Sequence, residues 1–384
     1  MARAVAASGG MTPCFVYDLD IVADKVATLR AALPGNVGIH YAVKANPHPK
    51  VIAKVAGMVD GLDIASGGEL ATVLAAAPGM HLSFAGPGKR DPEIEAAITA
   101  GVTLNLESAG EATRALTIAE RLGIRPKLAV RVNPDFALKG SGMKMGGGAA
   151  AFGVDAENVV PLVRWLIDAG ADWRGFHIFA GSQALDSEAI AATQAATVEL
   201  AGKLADGVGT EPPLVNLGGG FGIPYFAGDA TVDVAMVGER LGETLAASSL
   251  RDAHFAIELG RWLVGECGVY LARVVDRKDS RGETFLVTDG GLHHQLAASG
   301  NFGTVVRRNY PIAVASRFGE AATETVNVVG CLCTPLDKLG DAVSLPHADV
   351  DDVVAVFMAG AYGATASPAS FLGHGPAAEF VIGA

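Results

Sequence analysis

Basic residues are scarce: 29 Lys and Arg stand against 41 Asp and Glu, for a formal net charge of −12. Nucleic acid and anionic membrane surfaces are recognised by a basic face, so neither is expected as a main partner. An anionic ligand would need a local positive site. Long hydrophobic runs are missing too. No apolar stretch reaches the ~18 residues a spanning helix needs, and Met1-Ala2-Arg3-Ala4 leads into no long signal core, so the cytoplasm is the expected compartment. The chain has only 4 cysteines. That is too few for a disulfide framework, and Cys331-Leu332-Cys333 has the wrong spacing for a zinc knuckle and no partner pair, so free thiols are expected.

What the chain does have is apolar bulk, with 50% hydrophobic residues over 384 positions. That suffices for one large core or two moderate ones, and two domains are expected. From Val37 short apolar runs alternate with amphipathic, Ala-rich segments, the pattern of β/α units around a parallel sheet. Eight strands are expected: Val37 to Ala45, Gly61 to Ser66, His81 to Gly86, Val102 to Glu107, Lys127 to Asn133, Trp173 to Gly181, Leu214 to Gly218 and His254 to Gly260. A helix should follow each of the first seven. Eight units in about 230 residues suit a (β/α)8 TIM barrel, with a doubly wound sheet as the alternative. After Trp262 the texture turns β-rich, with expected strands Val269 to Val275, Thr284 to Thr288, Ala322 to Val329 and Val353 to Met358. The predicted division is a barrel over 25–265 and an all-β domain from 1–24 and 266–384, with Cys14 to Tyr17 returning to the latter as an extra strand. The glycine-rich stretch Gly140 to Gly148 is expected to be a mobile loop over the barrel mouth.

In a barrel, reactive groups gather where strands end. Lys44 closes the first expected strand as the first polar side chain after an apolar run, which makes it a candidate Schiff-base lysine, activated by desolvation. Asp63 and Ser66 end the second strand and Arg131 and Asn133 the fifth. His177 and Ser182 flank the end of the sixth, Gly218, Gly219 and Gly220 end the seventh, and Glu258 and Arg261 end the eighth. A lone histidine is more often a satisfied core residue, but the shared location of these groups favours a site. Three consecutive glycines let backbone N–H groups converge on an anion, and Arg261 adds a charge that a phosphate accepts in a bidentate way.

Tyr41-Ala42-Val43-Lys44-Ala45-Asn46 and Gly61-Leu62-Asp63-Ile64-Ala65-Ser66-Gly67-Gly68-Glu69 resemble the opening of the pyridoxal-phosphate-dependent ornithine/diaminopimelate decarboxylases. Ile257-Glu258-Leu259-Gly260-Arg261 is similar to that family's Glu-Pro-Gly-Arg signature, with Leu259 in place of proline. His177 to Gln183 resembles its histidine segment, with two more residues than usual before Gly181-Ser182, and Gly330-Cys331-Leu332-Cys333-Thr334-Pro335-Leu336-Asp337 resembles the segment that completes a partner subunit's site. Thr288 to His294, Ala297 to Phe302 and Arg307 to Pro311 look like the exosortase-associated and butirosin-pathway decarboxylases, the latter acting on an aminoacyl group held by an acyl carrier protein.

The resemblance implies a fold-type-III, alanine-racemase-like enzyme with pyridoxal 5'-phosphate as cofactor, which decarboxylates an amino acid or a carrier-linked aminoacyl group as a homodimer with shared sites. Lys44 would hold the cofactor and Glu258 would keep its ring nitrogen protonated, which disfavours a racemase. His177 would stack on the ring and Arg131 would lie behind it. Ser182, Gly218 to Gly220, Arg261 and Tyr362 would take the phosphate, and Asp63 and Glu69 would support the lysine region. Cys333 would return a proton to the carbanion, while Thr334, Asp337, Arg307 and Asn301 would meet the substrate. Ornithine and diaminopimelate enzymes place an acidic residue where Thr334 stands, so a free diamino acid such as meso-diaminopimelate is the second choice of substrate, and a non-catalytic cofactor-binding homologue is the rival from another class. No metal is expected. His293 and His294, if adjacent on a strand, would point to opposite faces and make a poor chelate.

Overall fold

A computed structural model describes residues 1–140, 142–144, 146–300 and 308–383. The chain divides into two compact units, one of Lys25–Ile223 and Ala230–Trp262 and the other of Met1–Asp24, Pro224–Asp229 and Leu263–Ala384. No helix among the described residues is long and apolar enough to cross a membrane.

The first unit is a closed parallel barrel. Its strands are Val37–Ala42, Gly61–Ile64, Leu82–Phe84, Thr103–Leu106, Lys127–Asn133, Asp172–Ile178, Leu214–Asn216 and His254–Leu259. Each pairs with the next in sequence, and His254–Leu259 returns to pair with Val37–Ala42, setting Glu258 beside His40 and closing the ring. A sheet buried on both faces needs near-continuous apolar strands, which is how Leu128 to Val132 reads. A helix follows each of the first seven strands.

Two of those helices start with the same device. Ser66 accepts a hydrogen bond from Glu69 N, and Ser108 accepts one from Glu111 N. In return Glu69 takes the Ala65 N–H and Glu111 the Glu107 N–H, so each helix's first turn and the chain entering it are bound to each other. Gly175, at φ +108, sits where the ladder between Lys127–Asn133 and Asp172–Ile178 shifts register, and a Cβ there would run into the Leu214 carbonyl. Only glycine fits that close approach.

The second unit is mostly sheet. Its axis is Gly268–Ser280, which pairs antiparallel with Cys14–Asp18 and Val353–Val356 along its first half and with Glu283–Thr288 along its second, with an irregularity between Val274 and Asp276. Glu324–Val329 then pairs with Glu283–Thr288 and with Lys338–Leu345. Cys14–Asp18 joins this sheet and also pairs with Ala378–Ile382.

Several elements differ from the sequence expectation. The first barrel strand stops at Ala42, and Lys44 lies in a 3-10 turn, Val43–Ala45, beside the buried Tyr41 hydroxyl that donates to Asn46 O. In the glycine-rich stretch, Met143–Lys144 forms a short antiparallel ladder with Gly181–Ser182 where a loop is expected. The strands Ile312–Val314, Lys338–Leu345 and Ala378–Ile382 were not anticipated. His293 and His294 are not on a strand: they occupy a turn with ring centroids 3.8 Å apart, so the opposite-face geometry does not apply.

Candidate active site

The polar side chains at the barrel's strand ends converge on Glu258. Its carboxylate is buried, with Lys44 Nζ 3.7 Å from Oε1 and His177 Nε2 3.0 Å from Oε2. Burial alone would raise this carboxyl. The Lys44 charge, the His177 hydrogen bond and the more distant Arg131 outweigh burial and hold the pKa well below the usual carboxylate range. Because Glu258 is ionised, His177 Nε2–H donates to it, and His177 Nδ1 has no hydrogen-bond partner among the described residues.

Lys44 is not desolvated as the sequence suggested: its side chain is 46% exposed, with the ammonium 5.5 Å from the centre of the Phe179 ring. What sets its environment is the paired carboxylate and an aromatic face. Asp63, one strand over, lies 3.3 Å from His40 Nδ1. Ser66 and Glu69 are committed to capping the helix Gly67–Ala76. Asn133 donates to Gly148 O and Asp155.

Beside this cluster, reached through Arg131 on the strand that pairs it with His177, sits a buried ion network that sequence reasoning missed. Arg131 Nη1 donates to Glu107 Oε1 at 3.0 Å, and the guanidinium carbon lies 4.9 Å from the Phe152 ring centre. Glu107 also accepts from Gly86 N and Gly153 N. Burial would raise Glu107, and Arg131 with these two N–H groups more than offsets it. Lys89 spends its three ammonium hydrogens on Gly86 O, Asn105 O and Glu111 Oε1. Two signals pointed here: Glu107 at a strand end, and Ser108-x-x-Glu111 repeating Ser66-x-x-Glu69.

The glycine run has its own structural cause. Gly218 and Gly220 have φ of +67° and +100°. A Cβ on Gly218 would meet the Ile178 carbonyl, one on Gly219 the Glu258 carbonyl, and one on Gly220 the Leu138 side chain. Asn216 Oδ1 accepts from Gly218 N and fixes the turn. Ser182 lies in the ladder with Met143, and Arg261 is half-buried at the head of the helix Arg261–Val264.

In the second unit Cys333 and Thr334 lie in the connection between Glu324–Val329 and Lys338–Leu345, Cys333 exposed and Thr334 half-buried. Asp337, expected to meet substrate, is instead buried, with both carboxylate oxygens taken by Leu292 N and Leu332 N. Tyr362 is half-buried at φ +55°. Asn301 and Arg307 lie outside the described residues.

Residues 19–265 match the pyridoxal binding domain of the pyridoxal-dependent decarboxylases. The chain belongs to that family. It is 34% identical over 376 residues to the L-glutamyl-(BtrI acyl-carrier protein) decarboxylase of Niallia circulans, covering 94% of this chain and 87% of that one. It is 29% identical over 363 residues to the diaminopimelate decarboxylase of Methanothermobacter thermautotrophicus, covering 91% and 82%. The crystal structure of Helicobacter pylori diaminopimelate decarboxylase complexed with L-lysine superposes with a TM-score of 0.85 at 26% identity, covering 97% of this chain and 92% of that one. The protein is thus a fold-type-III pyridoxal-phosphate-dependent carboxy-lyase acting on an amino acid.

The residues present fit that cofactor. The decarboxylase brings an amine, an ionised buried carboxylate and an imidazole with one unpartnered buried nitrogen to one barrel mouth, with an arginine and a glycine turn on neighbouring strand ends.

Lys89→Met leaves Glu111 Oε1 and two carbonyls buried without their donor, so it should destabilise the fold by about 3–5 kcal/mol. Denaturant titration of both proteins measures this. A loss under about 1 kcal/mol would make the pair equivalent to an exposed salt bridge.

Proposed function

We propose that the enzyme decarboxylates an amino acid lacking a free distal ammonium group, presented as an aminoacyl group on an acyl carrier protein, with Lys44, His177, Glu258 and Cys333 as the reacting residues. The assignment of the barrel residues rests on the cluster in which one buried carboxylate meets Lys44 and His177 together. The carrier is supported by the 34% identical relative whose named substrate is carrier-bound, and the missing ammonium by Thr334. The free thiols Cys14, Cys267, Cys331 and Cys333 suit a cytoplasmic enzyme.

Pyridoxal phosphate, when bound, supplies an electrophilic carbon for the substrate's amino group and a ring that takes up the electron pair left as carbon dioxide departs. Lys44 would hold the group through its amine. Glu258, kept ionised by its neighbours, would hold a proton on the ring nitrogen. His177, oriented by Nε2–H on Glu258, would support the ring. Arg261 and the N–H groups around Gly218 to Gly220 would receive the phosphate, with Ser182 beside them, and Arg131 would support the site from the strand paired with His177. Cys333 of a second copy would serve as the proton donor at the reacting carbon.

Glu258→Gln should keep the fold and the cofactor's visible absorption while turnover falls about 100-fold or more, because the charge that holds the ring proton is gone. Near-normal turnover with normal absorption would remove Glu258 from the electron-sink role.

Mixing Lys44→Ala protein with Cys333→Ala protein should restore activity, since each heterodimer would contain one intact site. No recovery after verified subunit exchange would mean that each chain builds its site alone.

Carbon dioxide release from a panel of free and carrier-bound amino acids tests the substrate. Carrier-bound aminoacyl groups should turn over, free diamino acids should not, and Thr334→Glu should raise turnover of the latter, since a hydroxyl cannot compensate a desolvated cation as a carboxylate does. Efficient turnover of free meso-diaminopimelate by the unmodified enzyme would favour the second reading, an ordinary diaminopimelate decarboxylase.

A further inference from the structure

We propose that the sheet unit carries a metal site in which His293, Cys331 and His374 bind a zinc-like divalent cation, with a fourth position open to water or another oxygen ligand. One donor atom from each of the three lies within 4.8 Å of the others. They come from three separate segments: the turn after Glu283–Thr288, the start of the connection before Lys338–Leu345, and the stretch following Phe371–Gly373. Binding a tetrahedral zinc, at about 2.0–2.3 Å from each, would draw these atoms closer together.

A second observation points to a ligand independently. His293 is 0% exposed, and neither ring nitrogen has a hydrogen-bond partner among the described residues. A buried imidazole with both nitrogens unmet is costly, and a metal ion on one of them removes much of that cost. Cys331 and His374 are exposed, which gives an ion a way in to the histidine beneath.

The surroundings hold the three ligands in place. Asp337 accepts from Leu292 N at 2.6 Å and Leu332 N at 2.8 Å, so one carboxylate ties the residue before His293 to the residue after Cys331. Gly291 and Gly330 leave room for it, since a Cβ at either would collide with that carboxylate. His294 is no ligand. Its Nε2–H donates to Gly375 O at 2.9 Å and its Nδ1 accepts from the Tyr270 hydroxyl at 3.0 Å, which anchors the segment bearing His374. Two imidazoles and a thiolate with no carboxylate select zinc or cobalt over magnesium or calcium, and three protein ligands leave a coordination position free.

The test uses the tag-free, full-length holoenzyme. Cobalt(II) added after metal stripping should produce thiolate-to-cobalt charge-transfer absorption above the cofactor's own spectrum, absent in Cys331→Ser, weakened in His374→Ala and retained in Cys333→Ser. No such absorption in the unmodified enzyme, or absorption that is lost with Cys333 and kept without Cys331, overturns the proposal. If Cys331→Ser does not fold, alkylation of the unmodified enzyme reads the same contact: zinc should slow modification of Cys331 and leave Cys333 unaffected. Equal rates at Cys331 with and without zinc overturn it.

Discussion

A buried carboxylate must be paired, and the barrel of this decarboxylase is organised around one such obligation at Glu258. An unpaired ionised carboxyl in that position would neutralise itself or cost several kcal/mol. Lys44 and His177 meet it from two other strand ends, and barrel closure makes the meeting possible, because Glu258 lies on the strand that returns to pair beside the one leading into Lys44. The fold's topology and the site's charge state are therefore one constraint. An open sheet would leave the first and last strands on opposite edges and the carboxylate without its cation.

The Arg131, Glu107, Lys89 and Glu111 network repeats this logic on the neighbouring strands. Its carboxylates are also bound by backbone N–H groups of loops following other strands, Gly86 and Gly153 among them. Each ion thus fixes a loop as well as a partner charge. Burial pulls the Lys89 ammonium down from its usual range, and Glu111 only partly offsets that, so the network is expensive and persists through complete hydrogen bonding.

The barrel was legible in the sequence because parallel strands buried on both faces are written as short apolar runs, and polar residues ending such runs stand out. Lys44, His177 and Glu258 were found this way, and the structure brings them together. The sheet unit was less legible. Lys338–Leu345 contains Gly340 and Asp341 and has Ala342 at φ +48°, local features that read as turn until Glu324–Val329 pairs with it. Ala378–Ile382 is partly exposed and is paired by a strand more than 350 residues away, a relation that no local period encodes. Contacts among remote loops were equally invisible: the sequence offers His293 and His294 as neighbours, whereas His374 supplies the donor atom that converges with His293.

The turn from Gly330 to Lys338 carries Cys333 and Thr334, and its chemistry is constrained from within. Asp337 is fully engaged by two backbone N–H groups, and its placement requires glycine at 291 and 330. Thr334 uses its hydroxyl to accept from Leu336 N, while its carbonyl takes the Asp337 N–H. The neutral side chain at 334 therefore helps close the turn it sits in, a local bond of the kind that serine and threonine commonly make. A carboxylate at that position would have to leave this bond to reach a distal ammonium. The neutral hydroxyl at 334 thus closes the same turn that holds Cys333.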